Sequence, residues 1–266
     1  MRPLYLGTLC LTLCLPLRAE DIVNLRTRDG VTQSYLLSAP GDGAPHAIAV
    51  LFAGGGGNLR LRMEEGAPRV SSNNFLVRSR SEFVQRGTIA AVVDAPSDQQ
   101  LGMEDEFRAG ATHLADMRAV VADLRRRFPG APVFLVGTSR GTVSAAYVGR
   151  EIGSAVAGVV LTAAVYLATG PRARYHRPGL SGFDFASLKA PLLLVHHRDD
   201  GCNVTPFAAA RQLADRYPLI SVSGGLPPVS RPCEALSEHG FLGQESKTVE
   251  AIVNWMLRKP HRSEID

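Results

Sequence analysis

Apolar and polar positions follow two alternating patterns along the chain. Unbroken apolar runs of strand length recur in "HAIAVLFAGGGG" from His46, "TIAAVVDAP" from Thr88 and "APVFLVG" from Ala131. They recur again in "AVAGVVLTAA" from Ala155, "APLLLVHH" from Ala190 and "PLISVSGG" from Pro218. Between them lie stretches with apolar residues every three or four positions, the spacing of a helix with one buried face. These are 75–86, ending at Gly87, and 111–127, with Leu114, Met117, Val120, Val121 and Leu124 on one side. A small-residue segment, 139–151, and the segments 206–217 and 245–259 complete the set. "IVNLRTRDG" and "VTQSYLLSAP" open the chain as a hairpin that turns at Asp29-Gly30. Strands that read as continuous apolar runs are covered on both faces. The pattern predicts an α/β fold: one doubly wound, mostly parallel sheet of about eight strands.

Such sheets bind ligands beyond the carboxyl ends of their strands, so chemistry is sought just after each apolar run. After the strand at 131–137 comes "GTSRG", residues 137–141, then small residues opening a helix. A serine held on a sharp strand-to-helix turn needs small neighbours two residues away on either side, and Gly137 and Gly141 supply them. Ser139 is therefore the candidate nucleophile. It needs a base. Of the seven histidines, His239 in "SEHGFLG" lies after the last strand and before the last helix, where a loop reaches across the strand ends. The acid that would orient it lies in "HHRDDGC", where Asp199 and Asp200 both follow a strand; Asp200, opening the turn, is preferred. Asp94 also ends a strand and reads as a structural carboxylate near the pocket. The pair His196-His197 with Asp199 is a poor metal site, because adjacent strand residues point to opposite faces.

Backbone donors for an oxyanion are expected at the Arg140 N–H and in "FAGGGGN", at Gly55 or Gly56. This glycine loop lacks the lysine of a phosphate-binding loop and the spacing of a dinucleotide fingerprint. The Arg140 side chain has two open roles, binding a substrate carboxylate or making a structural ion pair. The motifs "FAGGGG", "GTSRG", "HHRDDGC" and "EHGF", in this order along the chain, resemble those of the α/β-hydrolases, over nearly all of residues 22–259. The glycine loop departs from the lipase "HGGG" form in having no leading histidine. The resemblance implies acyl transfer to water through an acyl-serine intermediate, with Ser139, Asp200 and His239 as the triad and no metal or organic cofactor. It leaves open an esterase, a peptidase or amidase, an acyltransferase, or a non-catalytic binding protein that keeps the fold.

The first residues, "MRPLYLGTLCLTLCLPLRAE", have a short basic start and an apolar stretch from Leu4 to Leu17, the pattern of an export signal ending near Ala19. A single domain, 20–266, would follow. Loss of Arg2 and Arg18 lowers the formal charge of +4 by two. The remaining arginines are scattered, so no nucleic-acid partner is expected. Cys10 and Cys14 would leave with the signal, and Cys202 and Cys233 would remain, a natural disulfide in a periplasmic or secreted protein. It would tie the acid loop to the histidine loop. Residues 167–189, with Arg172, Arg174, His176 and Arg177, stand where a cap is expected but lack the long apolar helix of a lid that opens on lipid. A small or polar ester, or a polymer chain end, fits such a minimal cap. No membrane insertion of the mature chain is expected.

Overall fold

The computed structural model describes residues 20–41, 43–167 and 179–266. The expected export signal, and Arg172, Arg174, His176 and Arg177 of the expected cap, lie outside the described residues. The chain opens with strands β1 (Glu20–Arg28) and β2 (Val31–Ser38), an antiparallel hairpin whose turn uses Gly30 at φ 66°. Strand β3 (Ala47–Phe52) leads to a small hairpin, β4 (Arg62–Glu64) and β5 (Ala67–Arg69). Next are α1 (Phe75–Arg78), α2 (Arg80–Gln85), β6 (Thr88–Val93), α3 (Asp105–Ala109) and α4 (Ala111–Arg127). They are followed by β7 (Val133–Thr138), α5 (Gly141–Ile152), β8 (Gly158–Thr162), β9 (Leu192–His197) and α6 (Phe207–Leu213). The chain closes with β10 (Leu219–Val222), α7 (Glu245–Met256) and β11 (Glu264–Ile265).

The main sheet has nine strands among the described residues, in the order β1-β2-β6-β3-β7-β8-β9-β10-β11. Only the β1–β2 and β2–β6 pairs are antiparallel. The eight expected strands are all present, and the ninth is the two-residue β11, parallel to β10. Its Ile265 is buried, and Ser221 and Ser223 N–H donate to Ser263 and Ile265 carbonyls. The predicted helix over 75–86 is two short helices, because Ser79 leaves helical dihedrals (φ −94°, ψ 8°) between them.

Side-chain alternation splits the core into two layers. Ile48, Val50 and Phe52 face α4 and α5 with Met117, Val120, Leu124 and Ala146. Ala49 and Leu51 face the other way, toward Phe75 and Phe83 and toward Val249 and Ile252 of α7. Every residue of β3, β6, β7, β8 and β9 is buried, which explains their unbroken apolar runs.

Helix α5 starts hard against the end of β3. A Cβ on Gly141 would sit 2.1 Å from the Phe52 carbonyl oxygen, a backbone atom that cannot move aside. Gly141→Ala is expected to lower stability by about 1–3 kcal/mol or more, hence the thermal midpoint by several degrees. Gly41→Ala, where a Cβ meets nothing within 4 Å, should leave it unchanged. Thermal unfolding of the two variants checks this.

Candidate active site

Ser139 occupies the turn between β7 and α5 with φ 51°, a left-handed conformation that costs a non-glycine residue energy. The turn is held from three sides. Ser139 N–H donates to Thr162 O at 3.0 Å, and its carbonyl accepts from Thr142 N–H at 2.9 Å and from Thr142 Oγ1 at 2.6 Å. Gly54, after β3, lies directly beside it: a Cβ there would be 2.9 Å from Ser139 Cβ and 3.2 Å from Asn74 Nδ2.

Asp200 follows β9, and His239 sits in the loop after β10, as its sequence position suggests. The two meet: His239 Nδ1 is 2.9 Å from Asp200 Oδ2. Asp199 is exposed, and its N–H donates to His197 Nδ1 at 3.1 Å. His196 and His197 point apart, to Thr205 O at 2.7 Å and Gly224 O at 3.0 Å. Asp94 is structural: Oδ1 accepts from Leu59 N–H at 2.6 Å and Oδ2 from Leu61 N–H at 3.0 Å, holding the segment after the glycine loop. The histidine loop is clamped as well. A Cβ on Gly240 would lie 1.8 Å from Ala235 O, and Gly240 O accepts from Arg78 Nη2 at 2.6 Å.

Ser139 and His239 line one cleft of about 240 Å³, together with Gly54, Gly55, Asn74, Cys233 and Glu234. His239 Nδ1–H donates to Asp200, which leaves Nε2 as the free acceptor. That nitrogen is buried and has no hydrogen-bond partner among the described residues. Of the two glycines expected to offer an oxyanion donor, Gly55 lines this cleft and Gly56 does not. Gly56 packs on Gly102, where a Cβ would be 3.1 Å from Gly102 Cα, and its carbonyl accepts from Met103 N–H at 2.7 Å. The Arg140 side chain makes the ion pair rather than facing the cleft alone, with Nε 2.8 Å from Asp105 Oδ1 and Nη2 2.9 Å from Glu104 Oε2.

A family model described as "Serine aminopeptidase, S33" matches residues 97–178, a span that includes Ser139 but stops before Asp200 and His239. No curated protein sequence matches the chain. Among solved structures, Est1E from Butyrivibrio proteoclasticus superposes with TM-score 0.59 at 14% identity, covering 89% of this chain and 98% of that one. The esterase domain of a Rhodothermus marinus protein gives 0.57 at 17%, covering 90% and 98%. An α/β serine hydrolase without lid from Xanthomonas campestris gives 0.56 at 13%, covering 87% and 94%. The chain has the α/β-hydrolase fold. In this fold the Ser139 turn, the Asp200 turn and the His239 loop all lie at the carboxyl ends of parallel strands.

Burial alone would raise the Asp200 carboxyl. Hydrogen bonds from His196 and His239, the His239 charge and the Cys202 N–H outweigh it and hold the carboxyl well below the usual range. The Cys202 N–H lies 2.9 Å from Oδ1, and Thr205 Oγ1 donates to Oδ2 at 2.9 Å. Thr205 is not singled out by the sequence motifs; its place in "GCNVTP", five residues after Asp200, is the signal by which it would be found. Cys202 and Cys233 form the expected disulfide, with Cα atoms 4.6 Å apart, and join the two loops.

Two outcomes are expected. Between the unfolded carboxyl pKa of about 3.9 and the lower folded value, the unfolded chain binds the proton first. Asp200 therefore contributes stability above about pH 4 that is lost on further acidification. Denaturant unfolding from pH 5 to pH 2 should show a shallower loss in Asp200→Asn than in the native protein. Separately, Cys202→Ala/Cys233→Ala should lower stability by on the order of 3 kcal/mol, read by the same method.

Proposed function

We propose that the protein is an exported serine hydrolase that cleaves a small or polar carboxylic ester. The observation that carries this is the pairing of a strained serine with a buried, unpartnered imidazole nitrogen across one cleft. Ser139 Oγ attacks the ester carbonyl and passes its proton to His239 Nε2. Asp200 keeps His239 in the tautomer that exposes Nε2 and stabilises the imidazolium as it forms. The oxyanion receives the N–H groups of Arg140 and Gly55; among the described residues neither donates to a backbone carbonyl or a side chain. His239 then protonates the leaving alkoxide, and water repeats the sequence on the acyl-serine. Every group in the scheme comes from the chain, so no metal or cofactor is called for.

The small volume of the cleft and its polar wall of Ser72, Asn73, Asn74 and Glu234 support a small or polar substrate. Export is supported by the apolar segment at 4–17 and the disulfide. No helix of the described residues is long and apolar enough to cross a membrane. A peptidase on the same residues is the second reading, favoured by the description of the family model that matches 97–178.

Hydrolysis of p-nitrophenyl esters of increasing acyl length, beside amino-acyl anilides, is expected to show turnover of the short esters and little of the anilides. Ser139→Ala should lose at least about a thousandfold in kcat and all labelling by a fluorophosphonate. Faster anilide turnover would select the peptidase. An unlabelled native protein would mark a binding protein that keeps the fold.

A further inference from the structure

The glycine loop rests on a buried arginine. Arg108, in α3, is 1% exposed. Its Nη2 donates to Gly55 O at 3.1 Å and lies 3.5 Å from Ala53 O; its Nη1 donates to Ser144 Oγ, on α5, at 3.0 Å. Ser144 Oγ also meets His113 Nε2 at 3.0 Å. Burial and the Arg108 charge push that imidazole down to about 3, so it is neutral at pH 7. No carboxylate is within ion-pair distance of Arg108 among the described residues. Its partners are main-chain carbonyls and a hydroxyl, and its Nε is buried with none. Burial also lowers the guanidinium itself, to about 10, which still leaves it charged at neutral pH. A buried cation without a paired anion is expensive, and an apolar side chain in its place would avoid the penalty.

What the cation holds gives it a use. No peptide bond is cis, so each N–H points opposite to the carbonyl of its own peptide unit. Gly54 O accepts from Gly57 N–H at 3.2 Å, which turns the Gly55 N–H the other way. Gly55 O is taken by Arg108, so both peptide units flanking Gly55 are fixed. Gly57 makes room for this: a Cβ there would lie 2.6 Å from Arg108 Nη2. The opposite fork of the same guanidinium grips α5, the helix whose first turn carries the Arg140 N–H.

We infer that Arg108 is a positioning residue that sets the spacing between the two oxyanion donors, Gly55 N–H in the glycine loop and Arg140 N–H at the start of α5. The inference rests on the serine-hydrolase reading above. Arg108 acts on the transition state through the loop and the helix, and touches no substrate. Its effect belongs on kcat and on the affinity for tetrahedral adducts, and KM should be spared.

The probe is a short-chain trifluoromethyl ketone. Ser139 Oγ adds to its carbonyl carbon, the serine proton moves to His239, and the carbonyl oxygen becomes the oxyanion. Arg108→Met is expected to lose at least about tenfold in kcat, with KM within about threefold and the ketone weakened by the same factor as kcat. Unchanged ketone affinity would overturn the proposal, whatever happens to thermal stability. If Arg108→Met does not fold, Ser144→Ala, which frees Nη1, decides: about threefold weaker ketone binding supports the proposal and unchanged binding overturns it. Ser139→Ala and native protein run alongside. A native protein that fails to bind the ketone sinks the hydrolase reading itself, independently of Arg108.

Discussion

The site depends on a steric fact at the centre of the sheet. The end of β3 and the start of α5 approach so closely that the Phe52 carbonyl occupies the space of a side chain at position 141. That approach requires glycine at the first position of α5. Between β7 and α5, Ser139 turns in the left-handed region, its backbone bonded to Thr162 and Thr142. The same approach lays the glycine loop, which continues β3, alongside the serine. Ser139 and the loop are thus neighbours because two backbones are packed together.

Around this contact the fold buries two charges of opposite sign and treats them differently. Asp200 is surrounded by donors, from its own turn, from Thr205 and from two imidazoles, so its negative charge persists inside the protein. Arg108 is surrounded by carbonyl oxygens and a hydroxyl, whose partial charges are weaker, so its cation is held less firmly. Exposed charges follow the bland pattern. Arg150 pairs with the neighbouring Glu151, and Arg231 with Glu234 three residues on. Such pairs add little to stability.

How much of this was legible depended on whether a residue's neighbours in sequence are also its neighbours in space. The five fully buried strands announced themselves as apolar runs, since both faces of each are covered. The Ser139 turn was legible because its steric needs fall on Gly137 and Gly141, two residues away. His239 and Asp200 were legible from their places after strands. Short polar elements were not: α3 lies in "EDEFRAG" and the β4–β5 hairpin in "RMEEGAPR", and neither has a periodicity to read. Arg108 looks like a surface arginine just after three acids, and only the fold tucks it under the glycine loop. The four glycines read as one feature, yet Gly54 faces the serine, Gly55 the cleft, Gly56 another glycine and Gly57 the arginine. The places of Gly56 and Gly57 are set by a segment almost fifty residues later in the chain.

The two-residue strand β11 has a consequence for the edge of the sheet. β10 would otherwise be the last strand, with a row of unpaired backbone groups facing water, a template on which another molecule's strand can add. Residues 263–265 cover that row, and Ile265 plugs the adjacent core. The tail is thus a self-supplied seal against strand exchange between molecules, held by a handful of hydrogen bonds and one buried side chain.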